Sequence, residues 1–263
     1  MSAGAPSPPS PPLGAPVDDP RPAQWPKRQD IEGRYVTLTP LDAAAHAPAL
    51  YARLCGPANA AVWAYMPTSS DEIATPAQFA AHLESHQRST DMVFYAIVPK
   101  KSSSLNGGSS DTGTGTEKPA GFVAYMNIAP AHRSLEIGFV TFAPAPFLQR
   151  TTAATEALGL MMRHAVEDLR YRRVEWKCDA LNGPSRRAAQ RLGFVYEGLF
   201  RQHRIVRGRN RDTAWFSVTD GDWTEGAVGA ALAAWLDPAN FRDDGGQIQP
   251  LEQIREGLRD TRH

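Results

Sequence analysis

The sequence predicts a mixed α/β fold, in which six or seven strands form one sheet with four or five flanking helices. Segments rich in β-branched and aromatic residues, which are typical of strands, are interspersed with segments of helical periodicity. The strands outnumber the helices, which indicates a mixed sheet rather than a purely parallel one. About 215 residues remain once two low-complexity segments are set aside, and this length suits one domain.

The N-terminal half contains four predicted strands and two predicted helices. Asp42 is placed to cap the first helix, and Thr75 with Pro76 is a typical start for the second. Two of the strands flank a Ser/Gly/Thr-rich segment, which predicts a hairpin. The elements are a strand over Gly33–Leu41, a helix to about Leu54, a helix from Pro76 to about Arg88, and strands over Asp91–Val98, Ala120–Ile128 and Ser134–Phe142.

The C-terminal half begins with the longest predicted helix, over Thr151–Arg170, because apolar residues recur there at helical spacing. A later helix is bounded by Pro184 at its start and Gly193 at its end. The remaining elements are strands over Arg173–Ala180, Phe194–Val206 and Asp212–Val218, the helix Pro184–Leu192, and a last helix over about Trp223–Leu236.

Two segments have little apolar surface to bury. Residues 1–26 contain nine of the 22 prolines, and we expect residues 1–30 to be a disordered or polyproline-like tail. Residues 101–118 (KSSSLNGGSSDTGTGTEK) predict a flexible surface loop. The predicted domain therefore covers 31–241 with an insertion at 101–118, and 242–263 form a C-terminal extension.

Charge and cysteine content narrow the class of protein. Lys and Arg together number 28, and Asp and Glu together also number 28, so the formal net charge is zero. A neutral chain does not bind nucleic acid or a membrane by bulk charge alone. We see neither a secretory signal nor an apolar stretch long enough to span a membrane. The two cysteines, Cys55 and Cys178, exclude a disulfide framework and suit a reducing compartment, so we expect a cytoplasmic protein.

The most informative stretch is Glu136–Phe194. It contains a strand (EIGFVTF), a Pro-bearing loop (APAPF), the segment LQRTTAATEA, a strand (VEWKCDA), Asn182 and a helix ending in RLGF. This order resembles motifs A and B of the GNAT N-acetyltransferase superfamily, and more narrowly its RimJ/RimL-like, ribosomal-protein-acetyltransferase branch. VWAYMP, YRRVEWKCDALN, SRRAAQRLGF, EGLFRQH and GRNRDTAWFS extend the resemblance over about Gly33–Phe241. It implies the GNAT fold and transfer of acetyl from acetyl-CoA to a primary amine, without a metal.

The start of the long helix is a predicted phosphate site. A helix N-terminus presents unpaired N–H groups and partial positive charge, so a diphosphate docks there without a metal. The resemblance makes this the pyrophosphate site of acetyl-CoA, with Thr152 in place of the usual Gly. The alternative is a plain Thr-capped helix. The residues concerned are Gln149, Arg150, Thr151, Thr152, Ala153 and Ala154.

Three further residues are candidates around the thioester. The resemblance makes Asn182 a ligand for the pantetheine arm, although a helix-capping Asn is equally expected there. Ser185 either protonates the leaving CoA thiolate, as proposed for related enzymes, or only begins a helix. Backbone N–H groups of the strand ending near Thr141 would polarise the thioester carbonyl.

Glu136 is the predicted general base. It alternates with Leu135 and Ile137 and therefore projects from the opposite face of the sheet, where it can accept a proton from an ammonium substrate, directly or through water. The alternative is a structural carboxylate paired with an arginine, and His132 and Glu197 are substitute bases. The acceptor pocket is predicted to include Trp63, Tyr65, Met66 and Tyr125.

Other patterns lead to weaker hypotheses. His82 and His86 have the spacing of metal ligands, but no third ligand is evident and we expect a solvated helix face. The basic stretch Arg163–Arg211 suits an RNA-binding face, yet we favour CoA phosphates and pairing such as Arg211 with Asp212. The acceptor is predicted to be a small-molecule amine or a peptide N-terminus. A non-catalytic acyl-CoA-binding module is the alternative function, and an RNA-associated protein is a less favoured one.

Overall fold

A computed structural model of the protein describes residues 11–100 and 117–261. Its centre is an eight-stranded mixed sheet with the order β1-β2-β3-β4-β5-β6-β8-β7, in which β5 and β6 are parallel and all other neighbours are antiparallel. The predicted mixed α/β fold is confirmed. The strands are β1 (Ile31–Glu32), β2 (Val36–Pro40), β3 (Val93–Pro99), β4 (Gly121–Ala129), β5 (Ser134–Phe142), β6 (Arg173–Asp179), β7 (Val195–Val206) and β8 (Arg209–Thr219).

The described residues form seven α-helices: α1 (Ala43–Leu54), α2 (Pro76–Gln87), α3 (Thr152–Arg163), α4 (Gly183–Leu192), α5 (Asp220–Thr224), α6 (Val228–Trp235) and α7 (Leu251–Asp260). The Asp42 and Thr75 caps are present, since each side chain accepts a bond from the first turn of its helix. The predicted long helix is shorter as an α-helix, because a π-helical turn over His164–Asp168 follows α3. The predicted last helix is divided into α5 and α6.

The helices lie on both faces of the sheet. On one face α2 packs on β3, where the His86 ring stacks on Phe94. On the other face α3 packs on β4, where the Tyr125 hydroxyl donates to the Met161 carbonyl at 2.6 Å. The α4 helix contacts β6 on the same face as α3, because the Trp176 indole donates to its Ser185. We call these the α1/α2 face and the α3/α4 face of the sheet.

A buried carboxylate joins α3 to the first strands. Glu156 is buried and accepts backbone N–H bonds from Arg34, Tyr35 and Val36 at 2.8, 2.6 and 2.9 Å. These donors lie where the chain enters β2. A side chain at Gly33 would collide with this carboxylate, so glycine is needed for the close approach. One acidic residue on α3 thus fixes the chain in the turn between β1 and β2.

Part of the N-terminal segment lies against the domain. The N–H groups of Ala23 and Gln24 donate to the carbonyls of Pro130 and Leu169 at 3.0 and 3.1 Å, and the Tyr95 hydroxyl donates to the Lys27 carbonyl at 2.8 Å. The expectation of a disordered tail over residues 1–30 is therefore wrong for this stretch, since docking on the domain satisfies its backbone. Residues 1–10 and 101–116, which belong to the predicted tail and insertion, lie outside the described residues.

The sheet divides between β5 and β6. Only three residue pairs join these two strands: Ser134 with Arg173, Leu135 with Val174, and Glu136 with Glu175. Beyond these pairs the strands diverge toward their carboxyl ends. Beyond this fork β5 contains a bulge, because Phe122 pairs with Thr141 but Ala124 pairs with Gly138. Ligands of open α/β sheets bind outside the carboxyl ends of the strands. A ligand site is therefore expected in the cleft beyond the fork, where the two strands diverge.

Candidate active site

The N-terminus of α3 is the first wall of the cleft, because α3 follows the carboxyl end of β5. The Thr151 hydroxyl caps the helix by accepting from the Ala154 N–H at 3.2 Å, and it donates to the Leu148 carbonyl at 2.6 Å. The Gln149 backbone N–H donates to the Ala143 carbonyl, and its side-chain amide donates to the Phe142 carbonyl, both at 3.0 Å. The predicted Thr cap is thus present. It leaves the other N–H groups of the first turn for a ligand.

Thr152 is the residue at this helix start that fits a phosphate ligand best. Its side chain is buried, and its Oγ1 has no hydrogen-bond partner among the described residues. A buried hydroxyl without a partner is costly, and the position faces the positive end of a helix. This orphaned donor fits an oxygen-rich group such as the pyrophosphate of acetyl-CoA. Ala153, Ala154 and Arg150 accompany it, and Arg150 has a left-handed backbone with φ of 63°.

The start of α4 forms the second wall, because α4 follows the carboxyl end of β6. The Asn182 side-chain oxygen accepts from the Ser185 N–H at 3.1 Å, so Asn182 caps the helix. The Ser185 hydroxyl oxygen accepts from the Trp176 indole at 3.0 Å. The indole uses one lone pair of this oxygen, and the hydroxyl also hydrogen-bonds to the buried Cys178 thiol, which lowers the pKa of that thiol against the larger effect of burial. Thr141, on β5, is buried and donates to the Phe139 carbonyl at 3.0 Å, within the bulge.

Glu136 lies at the fork itself. Its carboxylate is buried, and its Oε2 accepts from Asn127 Nδ2 at 2.6 Å and from Lys177 Nζ at 2.9 Å. The other oxygen, Oε1, lies 3.8 Å from the position that a Cβ would have at Gly138, the next residue on the same face beyond the fork. Oε1 thus faces Gly138 and the Met126 side chain packed there, on the side of the fork where the strands diverge. The predicted structural alternative named an arginine as its partner, whereas the partner is Lys177.

The two substitute bases are less well placed than Glu136. Glu197 accepts from Arg173 at 2.7 and 2.5 Å and from Ser217 at 2.7 Å, and the hydrogen bond from Arg173 holds the pKa of Glu197 below its usual range. His132 is exposed and precedes the amino end of β5. Because the cleft opens at the carboxyl end of β5, His132 lies at the wrong end of the strand.

Tyr65 is the predicted pocket residue that is both exposed and in contact with the start of α4, the second wall of the cleft. The Tyr65 side chain is 39% exposed, and its hydroxyl donates to the Leu181 carbonyl beside Asn182 at 3.1 Å. Its neighbour Ala64 accepts a hydrogen bond from Arg207 of the β7–β8 hairpin. The segment between α1 and α2 thus spans the cleft on the α1/α2 face of the sheet.

Two predicted pocket residues are buried instead. Trp63 is packed in the core, and its indole donates to the Leu54 carbonyl at 2.7 Å. Tyr125 is also buried, and its hydroxyl points into the α3/α4 face. Neither side chain is available to a substrate, so their assignment to the pocket wall is wrong. Aromatic residues mark both cores and pockets, and the sequence does not distinguish the two uses.

Several charged residues at the fork were not singled out from the sequence. Lys177 contacts Glu136, pairs with Glu175 at 2.7 Å and lies 4.0 Å above the Trp215 ring. The sequence of β6 indicates this position for Lys177, because every second residue from Arg173 onward is charged. Alternate residues of a strand share one face of the sheet. The described residues contain no group of three or more His, Cys, Asp or Glu side chains that could hold a metal ion.

The His82 and His86 pair does not form the solvated face that we expected. The His86 ring is buried and stacks on Phe94 with centroids 4.2 Å apart, and His82 lies 4.2 Å away by the same measure. Burial, followed by the charge of His82, lowers the pKa of His86 from 6.5 to about 3. The motif is therefore an aromatic core contact of α2.

We expect this contact to make the protein sensitive to acid. Because the folded pKa of His86 lies below its unfolded value, the unfolded chain takes up the proton first, and stability is lost as pH falls below 6.5. The loss from this group is about 2 kcal/mol between pH 7 and pH 5. Urea unfolding at both pH values should reveal it, and His86→Phe should reduce the difference while keeping the stacking on Phe94. An equal loss in both proteins would contradict the assignment.

Comparison with known proteins agrees with this geometry. Residues 36–195 match the family model described as the GNAT acetyltransferase domain. This match, over a sheet whose parallel strands diverge between two helix starts, makes the chain an acyltransferase. The match covers more than half of the chain, and the chain belongs to the GNAT acetyltransferase family. The predicted family and fold are therefore confirmed, and GNAT enzymes use acetyl-CoA.

Individual relatives extend the comparison. A crystal structure of a GCN5-related N-acetyltransferase from Brucella melitensis is 41% identical, covers 90% of this chain and 98% of its own, and has a TM-score of 0.80. A "probable acetyltransferases (GNAT family)" structure from Chromobacterium violaceum is 36% identical, with 82% and 99% coverage and a TM-score of 0.69. The curated "Putative ribosomal N-acetyltransferase YdaF" of Bacillus subtilis is 27% identical over 103 residues, which are 39% of this chain. The chain spans 55% of that relative's length.

None of the described helices is long and apolar enough to cross a membrane.

Proposed function

We propose that this protein transfers the acetyl group of acetyl-CoA to a primary amine by direct attack of the amine on the thioester. The observation that carries the proposal is the position of Glu136, a buried carboxylate at the fork of β5 and β6 whose Oε1 faces Gly138, the next residue of β5 on the same face beyond the fork. A thioester held between the diverging strands would lie beside it. The name of the Bacillus subtilis relative, a putative ribosomal N-acetyltransferase, favours a protein amine as acceptor, and a small-molecule amine is the other candidate.

Each proposed role rests on a contact already described. The N-terminus of α3 and the Thr152 hydroxyl would bind the pyrophosphate. Glu136 Oε1 would accept the proton of the attacking ammonium, directly or through one water. The Ser185 hydroxyl accepts from the Trp176 indole and would have to turn from the Cys178 thiol to donate to the departing thiolate.

The cysteines favour direct attack over a covalent acetyl-enzyme. Burial raises the pKa of the Cys55 thiol to about 12. Burial also raises the pKa of Cys178, and the Ser185 hydroxyl opposes this rise only in part. A thiol acts as a nucleophile only as its thiolate, so both cysteines are poor nucleophiles at neutral pH. The amine itself is left to attack the thioester.

Binding of acetyl-CoA is the first testable consequence. Saturating acetyl-CoA should raise the melting temperature, because it binds only the folded chain. In Thr152→Val the isosteric methyl removes the orphaned hydroxyl, so the stability without ligand should be unchanged or higher while the affinity for acetyl-CoA falls about tenfold. Thr155→Val, one turn along α3, is the matched control and should keep the affinity. Calorimetry without any heat of binding would refute the proposed function.

Turnover separates an enzyme from a binding module. Release of CoA thiol over a panel of small amines and peptides should identify at least one acceptor, and its rate should depend on both substrates. Binding of acetyl-CoA with no acetylated product from any amine would instead favour the non-catalytic alternative.

A further inference from the structure

Strand β8 carries a donor-rich surface next to the proposed reaction centre. Trp215 pairs with Lys177 across β8 and β6, and the Lys177 ammonium lies both 4.0 Å above the Trp215 ring and 2.9 Å from the Glu136 carboxylate. Side chains alternate along a strand, so Arg211 lies on the same face as Trp215. This is the α1/α2 face, which carries Glu136 and is spanned by Tyr65.

Two buried donors on this surface lack partners. Arg211 Nε and Trp215 Nε1 are both inaccessible to solvent and have no hydrogen-bond partner among the described residues. Buried N–H groups are nearly always paired in folded proteins, so two exceptions on one face of the same strand indicate a ligand that accepts hydrogen bonds. Arg211 lies two residues before Thr213, which pairs with Asp179 at the carboxyl end of β6, so it extends this surface past the fork.

The positive charge around Arg211 and Trp215 favours an anionic ligand. The β7–β8 hairpin contributes five arginines, and the described residues give none of them an ion pair. The expected pairing of Arg211 with Asp212 is therefore wrong, because the Asp212 carboxylate accepts from Gln202 N–H and Asn210 instead. Burial and the charge of Arg204 lower the pKa of Arg211. The arginines are Arg201, Arg204, Arg207, Arg209 and Arg211.

The CoA phosphates do not account for these donors. The N-terminus of α3 lies on the α3/α4 face, whereas Trp215 lies on the α1/α2 face and is separated from β5 by strand β6. A group that reaches Trp215 must therefore enter from the side of the acceptor. This argument rests on the proposed function, since it takes the cleft as the site of acetyl transfer.

We propose that Arg211 and Trp215 form a subsite for an oxyanion of the acceptor, so that the acceptor is an amine that also carries a carboxylate or a phosphate. An unpaired N–H on each side chain is available to an oxygen of such a group, and the surrounding arginines add attraction. The acetylated amine would then lie toward Glu136, on the far side of Lys177.

The direct test observes the Trp215 indole in the full chain with CoA bound. Its Nε1–H resonance in ¹⁵N-labelled protein, assigned by its loss in Trp215→Phe, should shift saturably with sodium acetate or inorganic phosphate, and not with sodium chloride at equal ionic strength. The shift should disappear in Arg211→Gln and persist in Arg209→Gln, a control in the exposed part of the same hairpin. Absence of any shift beyond the chloride control would overturn the subsite.

Turnover then tests whether the oxyanion belongs to the acceptor. Amino acids and aminoalkyl phosphates should have kcat/KM at least about tenfold above those of matched amides or alcohols, and peptides with Glu at the second position should exceed those with Gln. Arg211→Gln should raise KM for the anionic acceptors while acetyl-CoA affinity is unchanged. Equal kcat/KM for acid and amide, or weaker acetyl-CoA binding in this variant, would contradict the inference. Failure of acetyl-CoA to bind the wild-type chain would instead refute the proposed function.

Discussion

Glu136→Gln should lower turnover about 10²- to 10⁴-fold at neutral pH while acetyl-CoA affinity changes little. The amide keeps the size of the side chain and can still accept from Lys177, but it cannot take the proton of the ammonium. Lys177 also retains its pair with Glu175, so the variant should fold. The loss of turnover should shrink at high pH, where more of the amine is already deprotonated.

Two measurements separate catalysis from structure for Glu136. Turnover against pH and melting temperature should be recorded together, with Glu32→Gln as a control, because Glu32 is an exposed carboxylate that pairs with Lys100 far from the cleft. A lower melting temperature with normal turnover per folded molecule would make Glu136 a structural partner of Lys177. A water chain would then have to remove the proton, since His132 lies at the wrong end of β5 and Glu197 is engaged by Arg173.

Glu156→Ala should have the largest effect on stability, about 3 to 5 kcal/mol, because each buried N–H group left without an acceptor costs about 1 to 3 kcal/mol. The substitution leaves the N–H groups of Arg34, Tyr35 and Val36 without their acceptor. For a chain of this length we expect the melting temperature to fall by roughly 10 °C. Urea denaturation and thermal unfolding measure the effect directly.

Paired variants test this explanation for Glu156. Glu156→Gln keeps one carbonyl acceptor and should lose less stability than Glu156→Ala. Gly33→Ala should also be destabilising, because the added Cβ meets the Glu156 carboxylate. Glu167→Ala is a comparison on the turn after α3, where the carboxylate accepts a single indole N–H bond at 2.8 Å, and it should cost less. A loss below about 1 kcal/mol in Glu156→Ala would contradict the role of this carboxylate.

The order of elements could be predicted because local patterns carry it. Alternation along β5 separates Glu136 from its apolar neighbours, and the Thr151 cap and the Asn182–Pro184 start are local signals of helix ends. Family resemblance added the expected site, and in the structure the helices α3 and α4 follow the two strands that diverge at Glu136. These features depend on residues only a few positions apart, as in the helix caps, or on the alternation of side chains along one strand.

Partners across the chain could not be predicted in the same way. Lys177 is 41 residues from Glu136, and Glu156 is about 120 residues from the N–H groups that it accepts. Periodicity predicts that Tyr125 and Trp63 share faces with apolar residues, but not whether a helix covers those faces. The packing of α3 on Tyr125 and of α2 near Trp63 decided that both are core residues.

By itself, then, the sequence determined the mixed α/β class, the family, the helix caps and the face on which Glu136 projects, because each depends on neighbours within one element or on a collinear motif. The tertiary structure alone decided which carboxylate partners are present, that His86 is stacked rather than solvated, that residues near Ala23 dock on the domain, and that the Arg211 and Trp215 donors lack partners. Those outcomes depend on contacts between segments that are far apart in sequence. The burial and the hydrogen-bond partners of these side chains are determined only when the segments pack together.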